Sequence, residues 1–162
     1  MNLKLLLVLL LLPLVALGQA TEEPSIKQIS KKLSGKWIVE VIELDSLKMT
    51  QRPYGRKVLT DTYIDGQLVK TESKEGYHII EMIFDEYGDG EQKVNLNFVP
   101  NSKVLEIIED QPHLRLKIKN GNLTLLKTYL TKSEEEAVSE LTKTRLVLLS
   151  SSGVKKTLKK IE

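Results

Sequence analysis

Apolar and polar residues alternate with a period of two along most of this chain, and the exceptions are as informative as the rule. Ile26, Ile29 and Leu33 fall at helical spacing after Pro24-Ser25, which predicts one or two turns of helix with a common apolar face, stopped at Ser34-Gly35. From Trp37 the period becomes two, with Trp37, Val39 and Val41 on one side and Lys36, Ile38, Glu40 and Ile42 on the other. Asp45 to Gly55 is polar, contains Pro53 and reads as a long loop. Strand-like runs 57–64 and 67–73 flank Asp65-Gly66, a strong short hairpin signal.

The alternation continues to the end of the chain. In Tyr77 to Phe84, Ile80, Met82 and Phe84 share the expected inner face, and Val94, Leu96 and Phe98 do so in Gln92 to Val99. Asp85 to Gly90 turns between these two runs, and Pro100-Asn101-Ser102 turns into Lys103 to Glu109, which breaks before Pro112. Leu114, Leu116 and Ile118 alternate with Arg115, Lys117 and Lys119, and Asn120-Gly121 leads into Leu123 to Leu130. Thr131 to Glu140 is polar and reads as a helical turn or a mobile segment. Thr144 to Ser150 and Val154 to Ile161 form a last pair, joined at Ser151-Ser152-Gly153.

About eight to ten short strands at regular spacing predict an all-β sandwich or barrel. A barrel is favoured because alternation in every strand asks for one enclosed interior, and closure removes exposed edges. The expected fold class is therefore all-β, an antiparallel up-and-down β-barrel of about eight strands with a short N-terminal helix.

Composition adds the compartment. Met1 to Lys4 gives a positive start, Leu5 to Leu17 is apolar apart from the kink residue Pro13, and small residues precede Gln19 and Thr21. This is the layout of a secretory signal peptide over residues 1–20, cut after Gly18 or Ala20, and its apolar run is shorter than the roughly 20 residues of a membrane span. About 142 residues then remain as one domain, 21–162, with no integral span expected after cleavage. Loss of Lys4 takes the net charge from +2 to +1, and the even mixing of charges argues against nucleic acid as a partner. With no cysteine in the chain, thiol catalysis and thiolate metal sites are excluded, and the domain rests on its apolar core.

Gly35-Lys36-Trp37, after a helical turn and before an alternating strand, resembles the Gly-x-Trp signature that opens the lipocalin barrel. The whole of 21–162 resembles the short lipocalin-like domains of exported Bacteroidota-type proteins. Their Phe-Asp-x-x-Gly-x-Gly turn is similar to Phe84-Asp85-Glu86-Tyr87-Gly88-Asp89-Gly90, and Leu123-Thr124-Leu125 and Leu146-Val147-Leu148 echo later motifs. The chain departs from the larger lipocalins in three respects. Their Thr-Asp-Tyr loop has only Thr128-Tyr129 as a counterpart, their long C-terminal helix is missing, and the nearest arginine is Arg145, on the penultimate strand. The resemblance implies that Gly35 and Trp37 are structural, with Trp37 closing the barrel base under a cation for which Arg145 is the candidate.

It also implies a small apolar molecule held inside the barrel by burial without chemistry, in a secreted or periplasmic protein. Val39, Val41, Ile80, Met82, Phe84, Val94, Leu96, Phe98, Leu116 and Leu125 are the candidate lining, and the same residues suit a filled core. The alternative is a packed barrel that docks an envelope protein or glycan through an exposed apolar patch, with Ile38, Ile42, Val147 and Leu149 as its markers. No enzyme is expected, because His78 and His113 belong to no nucleophile–base pattern. No cofactor or metal is expected either. The acids of Asp85 to Glu91 lack the alternate spacing of a calcium loop and read as a solvated turn. The oligomeric state is left open by the sequence.

Overall fold

The structure, a computed structural model, describes residues 24–55, 57–97, 105–106 and 111–161. Residues 1–20, expected to form a signal peptide, Phe98 and the expected turn at Pro100-Asn101-Ser102 lie outside them.

Ser25 opens helix α1 (Ile26–Leu33), its side chain accepting from the Gln28 N–H, and Lys31 and Lys32 stand in the last turn. Gly35, at φ +134°, passes the chain from helix into β1 (Gly35–Leu44). There follow β2 (Leu47–Tyr54), β3 (Lys57–Ile64), β4 (Gln67–Glu75), β5 (Tyr77–Phe84), β6 (Asp89–Asn97), β7 (Leu105–Glu106), β8 (His113–Lys119), β9 (Asn122–Thr128), β10 (Ser133–Leu141), β11 (Arg145–Ser150) and β12 (Lys155–Lys160). All pairings are antiparallel, in the order β12-β11-β10-β9-β8-β6-β5-β1, and β12 pairs back onto β1 to close an eight-stranded barrel. β7 adds a short pairing to β6.

Strand β1 serves two sheets. Its first half, Gly35 to Ile38, pairs with β5 inside the barrel wall, and its second half, Val41 to Leu44, pairs with β2. Strands β2, β3 and β4 therefore leave the barrel as a three-stranded wing whose last strand, β4, ends the sheet path. Here the structure corrects the sequence expectation of a loop over 45–55. The turn is confined to Asp45-Ser46, and Pro53 is tolerated because β2 has partners on β1 only as far as Thr50. The wing is anchored where Val58 is buried on Ile38 and Ile79, so Ile38 is covered rather than exposed. Val147 is also buried, whereas Leu149 is exposed and Ile42 half-buried. The polar segment 131–140 is likewise a strand from Ser133 onward, β10, and not helical.

The turn Asp85 to Gly90 owes its sequence to close packing. The Asp85 carboxylate accepts from the backbone N–H groups of Tyr87 and Asp89 at 2.9 and 3.0 Å. Gly88, at φ +86°, brings the backbone against Ile26 of α1 and Leu116 of β8, where an added Cβ would lie 2.9 and 3.0 Å from their side chains. At Gly90 an added Cβ would collide with the Ile83 carbonyl. The remaining acids are engaged, Glu86 with Lys27 at 2.8 Å and Asp89 with Arg115 at 2.6 Å. The hydrogen bond from Arg115 is the main cause that holds the Asp89 carboxyl below its ordinary pKa. Gly88→Ala combines a strained backbone with a clash, and should cost about 2–4 kcal/mol in chemical denaturation; a loss below about 0.5 kcal/mol would show that the turn does not need glycine there.

Candidate functional site

The barrel interior divides into two halves of different chemistry. At the helix end, Ile29 and Leu33 of α1 pack with Trp37, Met82, Leu116, Leu125, Leu146 and Leu158 in one buried cluster. Leu33, Trp37, Leu125 and Leu146 have 0% of their surface accessible, so no water-sized space touches them and this half is filled. The indole N–H of Trp37 donates to the Leu33 carbonyl at 2.8 Å, satisfying one of the carbonyls left open at a helix C-terminus. Lys160 lies over the Trp37 ring, 5.2 Å from its centroid, and its Nζ donates to the Lys32 carbonyl at 2.9 Å and to that of Ser34. Burial lowers the Lys160 pKa.

The cation over the tryptophan is therefore Lys160, from the last strand and in register with Trp37, and not Arg145. Arg145 is exposed and pairs with Glu140 at 3.2 Å. Its backbone register sets it opposite Lys159, one residue from the position that faces the ring.

Toward the other end the inner face becomes polar. Glu136 of β10 is 2% exposed and sits between two lysines. Lys156 of β12 donates to Oε1 at 2.9 Å, and Lys127 of β9 approaches Oε2 to 2.8 Å, off the hydrogen-bond direction. Strand pairing explains the placement. Glu136 lies opposite Leu125, and Lys127 and Lys156 continue the inward rows of Leu125 and Leu158. Burial alone would raise the Glu136 pKa, but Lys127 and Lys156 outweigh it and hold it below the ordinary 4.5. Gln92 of β6, 7% exposed and opposite Met82 of the filled cluster, has an Oε1 with no hydrogen-bond partner, a costly arrangement in a folded chain. A cleft of about 410 Å³ opens beside Glu136 and Lys156, with Ser133, Ser150 and Ser152 on its wall.

The structure gathers six of the ten proposed lining residues around the filled half. Met82, Leu116 and Leu125 are buried in the filled half, with Val39, Ile80 and Phe84 packed against them. Val94 is half-buried opposite Ile80. A bulge between Val39 and Val41 turns Val41 to the face of Thr157, outside the barrel, and sets Ile42 opposite Lys156 in its place. Leu96 pairs with His78 and Leu105 in the sheet, its side chain lying outside the described residues, as does all of Phe98. Glu136, Lys127, Lys156, Gln92 and Lys160 are absent from the sequence-based set. Only Lys127 left a trace, as a lysine at the inward place after Leu123 and Leu125.

No nucleophile, base and orienting group are brought together among these side chains. What the arrangement offers is a buried carboxylate flanked by two ammonium groups at the side of an open cleft. No family model, curated protein or solved structure matches this chain.

Two outcomes follow from the buried charges. Glu136→Gln leaves Lys127 buried without its counter-charge and should cost about 3–5 kcal/mol at neutral pH, measured by denaturant unfolding. Because the folded pKa of Glu136 is depressed, its contribution is present above the unfolded pKa and is lost as pH falls through the folded value. The gap between the parent chain and E136Q should therefore narrow on acidification below about pH 4.5, and a gap that widens would contradict the pairing. Lys160→Met removes a cation over the ring and two hydrogen bonds to α1, and should cost about 1–3 kcal/mol with loss of near-ultraviolet tryptophan dichroism.

Proposed function

We propose that this chain is an exported, lipocalin-like binding barrel that takes a small amphipathic molecule through the end opposite α1 and holds it by burial, without chemistry. One observation carries this proposal: the interior of a closed barrel is sealed and filled at one end, yet holds Glu136 between Lys127 and Lys156 in the other half. Packing does not call for buried charge, since apolar residues of similar volume serve a core as well or better. Such a departure from a consistent core is expected where a site is built. Lys156 supplies a cation at the cleft, and Ser133, Ser150 and Ser152 on its wall supply hydrogen-bonding groups for the polar end of a ligand. Each apolar 100 Å² buried there contributes about 2.5 kcal/mol before the entropy of binding is subtracted. The signal-like segment 1–20 supports a secreted or periplasmic location.

Native mass spectrometry of the protein purified from its own host, followed by organic extraction, tests the proposal. A discrete adduct on most molecules is expected, together with a thermal shift from the extracted compound that is about tenfold less sensitive to concentration in Lys156→Met. A bare protein that gains no thermal stability from a fatty-acid and lipid panel would overturn it and leave the barrel as a packed scaffold.

A further inference from the structure

We propose that the base of the barrel, the end sealed by α1, docks on an anionic phospholipid surface, with a lipid phosphate among Lys31, Lys32 and Lys143 and apolar chain in the crevice beside them. This proposal is independent of whether the barrel holds a ligand.

Two depressions meet at that end. One, of about 690 Å³, is walled by Gln28, Lys31, Lys32, Lys143 and Lys160. The other, of about 140 Å³, has Ile29, Ile118, Leu123 and Leu141 in its wall together with Lys32. Lys32 belongs to both, so the basic cleft passes directly into an apolar crevice. Lys160 is held by the helix carbonyls and the Trp37 ring. Lys31, Lys32 and Lys143 are exposed, and among the described residues their ammonium groups have no ion-pair partner.

The elements that converge there supply no carboxylate. None occurs in α1, in the β8–β9 hairpin from Lys117 to Thr124, or in the β10–β11 turn from Leu141 to Thr144. Glu140, just before that turn, is taken by Arg145. Lys117 and Lys119 flank Ile118 and add charge of the same sign. At the opposite end the depressions carry the other sign, with Glu134, Glu135 and Glu136 beside Lys156, and Glu43, Asp45 and Asp65 beside Lys48. A chain of net charge +2 is thus polarised from base to mouth. Lysines in the last turn of a helix can serve its dipole. Here Trp37 and Lys160 already occupy the carbonyls of Leu33, Lys32 and Ser34, and Lys143 comes from another element.

A soluble polyanion would meet the charge and leave the crevice unused. No aromatic side chain lines either depression for a nucleic-acid base to stack on. A phospholipid uses both features, its phosphate between the lysines and its chain against Ile118, which is 40% exposed. Glu22, Glu23 and Glu162 border this region in the sequence and lie outside the described residues, so the test takes the protein in the form its host makes it.

Co-sedimentation with phosphatidylcholine vesicles, with and without about one-third phosphatidylglycerol, tests this. Binding should require phosphatidylglycerol and weaken as salt is raised. Lys31→Gln and Lys143→Gln should each weaken it about three- to fivefold, and together about tenfold or more, with unchanged thermal melting and tryptophan dichroism. Lys74→Gln, the same loss of charge on the wing, should leave it unchanged. Ile118→Ser should weaken binding while keeping its salt dependence. Equal binding to pure phosphatidylcholine, or binding that survives the double substitution and high salt, would overturn the proposal, the latter assigning attachment to the apolar segment 1–20. So would a loss in K74Q as large as in K143Q. Inorganic polyphosphate bound as tightly as the vesicles, with Ile118→Ser of no effect, would overturn it in favour of a soluble polyanion.

Discussion

The closure of the barrel base depends on one junction, where the C-terminus of α1 meets Trp37 and Lys160. A helix of eight residues has little stability of its own, and its last carbonyls face the interior with no intrahelical partner. Trp37 answers Leu33, and Lys160 answers Lys32 and Ser34 while lying over the indole face. Ser34 in turn accepts from the Phe84 N–H of β5. One ring and one ammonium thus tie the helix, the first strand and the last strand together. Remove the junction and the apolar face of Ile26, Ile29 and Leu33 loses its orientation over the core.

From this fixed base the rest follows by alternation and its interruptions. The bulge in β1 lets one strand line the barrel with Trp37 and Val39 and then turn its next valine outward. The bend is also where β1 passes from β5 to β2 and the wing departs. A second bulge, in β10 between Val138 and Glu140, brings Leu141 back to the interior beside the helix end. The inner rows that begin in leucine at the base end in lysine and glutamate, and the change of character along β9, β10 and β12 makes the two ends of the molecule chemically distinct.

Much of this architecture was legible in the residues themselves. Leu114 and Leu116 against Arg115 and Lys117 state a half-buried strand, and Asp65-Gly66 and Asn120-Gly121 state tight turns, with Asp65 and Asn120 indeed at positive φ. Strand β2 was obscured because its pairing owes little to apolar burial and because Pro53 sits in it. Strand β10 was obscured because Glu134-Glu135-Glu136 reads as a solvated run. Whether Glu136, the last of that run, faces water or two lysines depends on register with β9 and, through β11, with β12, which no local pattern carries. The same holds for the cation over Trp37. Arg145 and Lys160 are equally near in composition, and only the β1–β12 pairing selects the lysine.

That pairing joins residue 37 to residue 160 and so sets an order of events in time. Contacts this distant in sequence close late and slowly, because the loop between them must be ordered first. A chain emerging N-terminus first presents β1 with one side unpaired throughout the synthesis of β2 to β11. Until the last six-residue strand arrives, Trp37 and its neighbours form an open trough rather than a core. The final strand thus acts as a latch, and a chain truncated before it would offer an aggregation-prone edge to its surroundings.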